Sequence, residues 1–279
     1  VIITHTVEQL NAALGRAREN GMTIGFVPTM GALHAGHMAL VERAGKECDI
    51  VVVSVFVNPT QFNNPEDLKL YPRTPETDSA LLEKHGCSVA FFPSVEDVYP
   101  KNLQIPIVEL GKMDQVMEGA FRPGHFKGVV QVVWRLFDLV KPTKAFFGLK
   151  DFQQVAVIQH MTRFLNLPVE IVPCATLREK SGLAMSSRNM RLTPEQRDEA
   201  VIIYRVLSML KENVSKYSPA ELMDKGAEMM SQSPLKLEYL QIVDSATLEL
   251  LDQKWSKHAT ACMSAYCGEV RLIDNMQLV

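Results

Sequence analysis

The chain has 279 residues, 47% of them hydrophobic and 22% charged, with 29 basic against 32 acidic side chains. That length can bury a large core in one domain or two, and a net charge of −3 gives no global basic field for non-specific nucleic-acid binding. No apolar run approaches the ~20 residues that span a bilayer. Five cysteines without a C-x-x-C pair (Cys48, Cys87, Cys174, Cys262 and Cys267) predict reduced thiols in a cytoplasmic protein rather than a disulfide framework.

The first residues read as a strand, with no signal-peptide pattern. Val7, Leu10, Leu14 and Ala17 then recur at helical spacing, which predicts a helix over 7–20 closed by Gly21. Residues 23–27 form a short apolar strand, broken by Pro28, Thr29, Met30 and Gly31. His34, Gly36 and His37 stand at the mouth of the helix that follows, over 38–46. The run DIVVVSVFV, 49–57, is the continuous β-branched pattern of a strand buried on both faces of a parallel sheet, and it ends in Asn58, Pro59, Thr60 and Gln61. Thr74-Pro75-Glu76 predicts a helix with Thr as N-cap and Pro at its first position, stopping at Gly86. Strands over 88–92, 145–148 and 169–174 alternate with helices over 129–140 and 152–165, which implies a parallel sheet with both faces covered. Near Leu177 the pattern changes. Thr193-Pro194-Glu195-Gln196 and Ser218-Pro219-Ala220-Glu221 are capping boxes opening two amphipathic helices. Strands over 235–243, 259–267 and 270–273 follow. The expected fold is therefore α/β: a Rossmann-like parallel sheet with helices on both faces over 1–176, and a smaller C-terminal α+β domain or lid over 177–279.

In such sheets ligands bind beyond the C-terminal strand ends, so the breaker clusters after Val27, Val57 and Phe147 share the functional edge. A helix N-terminus beside two imidazoles suits phosphate, although two histidines at i, i+3 also suit an ordinary helix start or half a metal site. Gln61 can donate and accept, which suits a polar uncharged or carboxylate substrate, or it is a solvated loop residue. In Gly148-Leu149-Lys150-Asp151-Phe152-Gln153-Gln154, Lys150 can meet phosphate, while Asp151 and Gln154 stand at capping-box spacing. Met185-Ser186-Ser187-Arg188 reads as a mobile polyphosphate clamp between the domains, or as a Ser-rich linker. Lys150 and Arg188 supply positive charge to the first cluster, and no third histidine or cysteine has metal-ligand spacing. No nucleophile stands in these clusters and there is no G-x-S-x-G, which points to a displacement between two bound ligands.

The segments PTMGALHAGHMALV, FVNPTQF, YPRT, EGAFRPGHFKGV, FFGLKDFQQ, MSSRN and RLIDN, in this order, resemble the pantothenate synthetase (pantoate–β-alanine ligase) family over almost the whole chain. H-x-G-H and M-S-S-R also resemble the signatures of the wider nucleotidyltransferase superfamily. The resemblance implies condensation of (R)-pantoate with β-alanine, ATP being cleaved to AMP and pyrophosphate with Mg²⁺, through a pantoyl adenylate. It implies ATP binding by Met30, Gly31, Ala32, Leu33, His34, Ala35, Gly36 and His37, by Gly148, Leu149, Lys150 and Asp151, by Leu177 through its backbone, and by Met185, Ser186, Ser187 and Arg188. His37 and His34, with Lys150 and Arg188, are the catalytic set it implies, His37 as proton donor. Gln61, Gln154 and Met30 would hold pantoate, and Gln61 would border β-alanine. No residue is assigned to the metal. Glu118, Arg122 and His125 lie in a family-typical loop behind the site. Family members commonly have Glu where this chain has Leu149, which removes one carboxylate contact. The resemblance also implies a homodimer acting on small molecules, with no nucleic-acid or membrane partner. Two rivals are an adenylyltransferase acting on a phosphorylated substrate, which would need further basic groups, and an RNA-binding relative of synthetases, which the acidic balance opposes.

Overall fold

The strand order of the larger sheet locates the ligand edge. In a computed structural model describing all 279 residues, two units separate: Val1–Gly148 with Gln154–Ala175, and Leu149–Gln153 with Thr176–Val279. The first holds six strands: β1 (Ile2–Thr4), β2 (Ile24–Thr29), β3 (Ile50–Val55), β4 (Val89–Phe91), β5 (Lys144–Gly148) and β6 (Glu170–Cys174). All pair in parallel, in the order β1-β4-β3-β2-β5-β6. Among them run α1 (Val7–Glu19), α2 (Ala35–Glu47), α3 (Pro65–Leu70), α4 (Pro75–Lys84), α5 (Val95–Val98), α6 (Met117–Phe121), α7 (His125–Val140) and α8 (Phe152–Phe164).

Both faces of this sheet are covered, which explains the unbroken β-branched run. Val52 joins Leu10, Leu14, Phe26, Phe91, Val133 and Phe137 in one apolar cluster. Its neighbours Val51 and Val53 join Met38, Val41, Ala44, Leu82 and Phe146 in another. Each buried side chain of this size stabilises by about 1.5–3 kcal/mol. The Arg18 guanidinium on α1 donates to the carbonyls of Leu139 at 2.8 Å and Val140 at 3.1 Å, satisfying the end of α7.

Strand order reverses direction at β2 and β5, the topological switch point. Their pairing stops at Phe26↔Ala145, while β2 and β3 stay paired to Thr29↔Val55. Pro28, which has no N–H to give, stands past the last β2–β5 pair, where β2 has left its neighbour. The turn after β2 therefore leaves the sheet at its C-terminal edge, where β2 no longer pairs with β5.

The second unit holds α9 (Pro194–Glu199), α10 (Val201–Glu212) and α11 (Pro219–Ser231), followed by an antiparallel sheet of β7 (Lys236–Asp244), β8 (Ala259–Cys267) and β9 (Val270–Gln277). Thr193 and Ser218 form the expected capping boxes with Gln196 and Glu221. Ile203, Val206, Leu207 and Leu210 of α10 pack with Leu222, Ile242, Met263 and Leu272 in a separate core.

Several boundaries differ from the periodicity reading. The helix expected from residue 129 begins at His125, whose imidazole is buried (5% exposed) beside buried Phe126. β9 runs beyond Ile273 to Gln277, its polar Asp274 being buried by a charge partner described below. α3, α5 and α6 are six, four and five residues long, too short to display a period. Thr74 holds the N-cap position of α4 but its hydroxyl makes no cap bond. It donates instead to the Asp78 carboxylate at 3.1 Å. No helix is long and apolar enough to cross a membrane.

Candidate active site

In the first unit the turn after β2 is built from the backbone outward. Gly31 and Ala32 both have positive φ, 84° and 49°, so successive N–H groups converge on one side. Asp78, from the first turn of α4, receives them: Ala32 N–H donates to Oδ2 at 3.0 Å and Leu33 N–H to Oδ1 at 2.8 Å. This carboxylate is 1% exposed. A Cβ on Gly31 would stand 3.0 Å from both Asp78 Oδ2 and Val55 Cγ1, so the turn tolerates only glycine there.

The turn delivers His34 to the N-cap of α2. Its Nδ1 accepts the Gly36 N–H at 3.1 Å, and its own N–H donates to Nδ1 of His37 at 3.3 Å. The two histidines form a capping box, a role usually filled by Ser/Thr with Glu/Gln. The ring centroids are 4.1 Å apart. Because each Nδ1 accepts an N–H, the hydrogen-bond pattern assigns the proton of each neutral imidazole to Nε2. A proton on Nδ1 would break the cap and add charge at the positive end of the helix. In the neutral pair both ring protons therefore sit on Nε2.

Gln61 is brought to the same turn. It is 7% exposed, and its Nε2 donates to Met30 Sδ at 3.1 Å. Asn58 Nδ2 donates to Gln61 Oε1 and to Gly128 O, each at 3.2 Å. Asn58 Oδ1 accepts from the Tyr99 hydroxyl at 2.9 Å and the Thr60 hydroxyl at 3.1 Å. Burial pushes the Tyr99 phenol up, so it stays a donor. Behind this lie Glu118, Arg122 and His125. Arg122 can only donate, so His125 Nε2 accepts from its Nη1 at 3.1 Å and His125 Nδ1–H donates to Gln61 O at 2.8 Å. Glu118 accepts from the same Arg122 nitrogen at 3.4 Å. A Cβ on Gly128 would lie 2.4 Å from Thr60 O, so glycine lets α7 press against the Gln61 turn. Gly148 ends β5, and Gln154 lies half-buried in the first turn of α8.

In the second unit Leu149–Asp151 form a single 3-10 turn. The Lys150 ammonium donates to Asp151 Oδ1 at 3.2 Å, leaving two further N–H donors by its chemistry. The stretch expected to be a loop between domains is folded within this unit. Arg178 and Ala184 pair as an antiparallel bridge, and the Met185 N–H donates to Leu177 O at 3.0 Å, so Leu177 to Met185 is a tight hairpin. A 3-10 turn, Ser187–Arg191, follows, with Ser186 Oγ accepting the Arg188 N–H at 3.3 Å. Ser187 and Asn189 are buried, and Asn189 Nδ2 donates to Glu179 Oε1 at 3.1 Å and Ala184 O at 3.0 Å. Those bonds are what a Ser-rich linker would lack. No group of three or more His, Cys, Asp or Glu side chains is arranged to hold a metal ion.

The chain matches the family model described as pantoate-beta-alanine ligase over residues 2–277. It belongs to the pantoate–β-alanine ligase family. It is 50% identical over 278 residues to the pantothenate synthetase of Porphyromonas gingivalis, covering 99% of this chain and 98% of that protein. The pantothenate synthetase of Bacteroides thetaiotaomicron is 47% identical over the same length, with the same coverage. Among solved structures, pantothenate synthetase from Thermus thermophilus superposes with a TM-score of 0.93 at 46% identity, covering 100% of this chain and 99% of that one. Pantoate-beta-alanine ligase from Francisella tularensis, complexed with beta-gamma ATP and beta-alanine, gives 0.82 at 36% identity, covering 99% and 97%.

Around these turns stand residues whose bonding the sequence alone did not show. Asp78 is the main one. Its signal was a carboxylate four residues before buried Leu82, a core-facing position on α4 where a charge is uncommon. Asn58 and Tyr99 orient Gln61 from turns 41 residues apart, which no local pattern reveals.

Proposed function

We propose that this chain joins (R)-pantoate to β-alanine through a pantoyl adenylate, releasing AMP and pyrophosphate. Membership of the ligase family and the ATP and β-alanine complex of the Francisella relative support the ligation. The observation that carries the adenylation step is the mouth of α2, where the Nδ1 atoms of His34 and His37 each accept a backbone N–H, so that each neutral ring carries its proton on Nε2.

In the first step a carboxylate oxygen of pantoate attacks the α-phosphorus of ATP. The bond from that phosphorus to the β-phosphate oxygen breaks, and pyrophosphate leaves with the electron pair. Charge grows on the phosphate oxygens, and donors already aimed at it are worth about 10²–10³ in rate apiece. His37 and His34 are those donors, with the cations of Lys150 and Arg188 neutralising the triphosphate. Met30 to His37, Gly148 to Asp151, the Leu177 backbone, and Met185 to Arg188 hold the nucleotide. Gln61 and Gln154 hold pantoate beside Met30, and Gln61 borders β-alanine. In the second step the β-alanine amine attacks the acyl carbonyl, AMP leaves with the acyl–oxygen electron pair, and the amine gives up a proton. His37 therefore acts as a hydrogen-bond donor rather than through a charged imidazolium. Mg²⁺ in such sites is held largely by substrate phosphates, and here it would screen their charge. The reading includes a cytoplasmic homodimer, which sedimentation at equilibrium tests.

The test is product analysis with purified protein. AMP and pantothenate should form in equal amounts only when ATP, pantoate and β-alanine are all present. AMP formed without pantoate, or an adenylylated product that accumulates with β-alanine present, would overturn the reading.

A further inference from the structure

The last strand of the chain ends in a bond pattern that the proposed chemistry does not use. Asn275 on β9 directs its side-chain amide at the 3-10 turn Leu149–Asp151, more than a hundred residues earlier. Nδ2 donates to Leu149 O and to Lys150 O, each at 2.8 Å. A primary amide has two N–H donors, and these carbonyls take both.

Asn275 is itself held on both sides of its peptide. Its N–H donates to Asp274 Oδ1 at 2.8 Å, and its carbonyl accepts from Arg178 Nη2 at 3.1 Å. Asp274 and Arg178 are paired, with Nη2 to Oδ1 at 3.0 Å and Nη1 to Oδ2 at 2.5 Å. Arg178 Nη1 also donates to Gly182 O at 3.1 Å, and the guanidinium lies 4.9 Å over the Tyr204 ring. Such a bidentate pair, with Asp274 at 4% exposure, is geometrically rigid. Arg178 follows Leu177 directly and opens the hairpin that leads into Met185 to Arg188. One strand end thus ties together both stretches of the second unit to which the proposed function assigns ATP.

We propose that Asn275 is a positioning residue for ATP: its amide fixes the backbone of Leu149 and Lys150 and thereby sets where the Lys150 ammonium stands. The inference rests on the reading that Lys150 meets the nucleotide phosphates. A three-residue 3-10 turn has poor internal hydrogen bonding and little stability of its own, so its geometry must come from outside. Asn275 supplies it, and Asp274 with Arg178 holds Asn275.

The test is a double-mutant cycle in the full-length protein, with N275D, K150A and the pair. N275D keeps the shape of the side chain but sets a carboxylate oxygen against two carbonyl oxygens. It should lower kcat/KM for ATP about tenfold, while the KM values for pantoate and β-alanine stay within about twofold. In the K150A background the same change should cost less than about twofold, because the group it positions is gone. An equal loss in both backgrounds would mean a general structural role and overturn the proposal, as would unchanged ATP kinetics in N275D. Unaltered ATP kinetics in K150A alone would instead remove the assignment of Lys150, and with it this inference. N275S, which leaves one short donor, runs the same cycle if N275D does not fold.

Discussion

His34 and His37 each do two jobs with one ring, and the two nitrogens separate them. Nδ1 caps α2, and the proposed function gives Nε2–H the phosphate, so substitutions can remove one job at a time. Asn places an acceptor near the Nδ1 position and nothing at Nε2. His37→Asn should therefore keep the melting temperature of the parent while slowing adenylation about 10²-fold or more, measured in a single turnover. His37→Gln, which reaches the Nε2 position with an amide N–H, should recover part of that rate. Equal activity of the two variants would mean that the Nε2–H donor does not matter. Among the thiols, burial pushes Cys87 up to about 12, so native protein at pH 8 should leave Cys87 unmodified by iodoacetamide and unfolded protein should not. Rapid native labelling at Cys87, read by peptide mass, would contradict its burial.

At the scale of elements, the turn after β2 depends on α4 through one carboxylate. Asp78→Ala leaves two buried N–H groups without an acceptor, at about 1–3 kcal/mol each. It should destabilise the protein by about 2–6 kcal/mol in urea unfolding and raise KM for ATP, whereas Asp78→Asn, which keeps one acceptor, should fall between. A variant with parental stability would show that the turn holds itself. The connection after β7 offers a pH test. The Ser256 hydroxyl, with N–H groups of Thr247 and Ala246, holds the Asp244 carboxyl down to about 2. Its folded value lies below the unfolded value of about 3.9, so its stabilisation is complete above about pH 4 and is lost as pH falls towards 2. Asp244→Asn should lower stability at pH 7 and flatten its fall between pH 4 and pH 2. An unchanged acid slope would contradict the assignment.

For the whole molecule, what the sequence disclosed follows from how local each feature is. The β3 run showed a doubly covered strand, because burial on both faces leaves no alternation to hide it. Thr193 and Ser218 announced their helices through caps four residues long. The histidine pair was visible as a helix mouth, but its tautomers required the paired N–H distances. Asp78 stayed hidden, and Asn275 showed only as the end of RLIDN, since their partners lie 45 and 126 residues away in the chain. Met185 to Arg188 also allowed a linker reading because its fold rests on the Ser186 cap and on buried Asn189, not on an apolar period. These distant bonds set the positions of groups whose identity the motifs had already suggested. The proposed adenylate separates activation of pantoate from its transfer to the amine, and one measurement addresses that directly: exchange of labelled pyrophosphate into ATP in the absence of β-alanine. Exchange should occur, should require pantoate, and should fall about 10²-fold in His37→Asn. Pantothenate formation without any such exchange, or exchange that proceeds without pantoate, would contradict it.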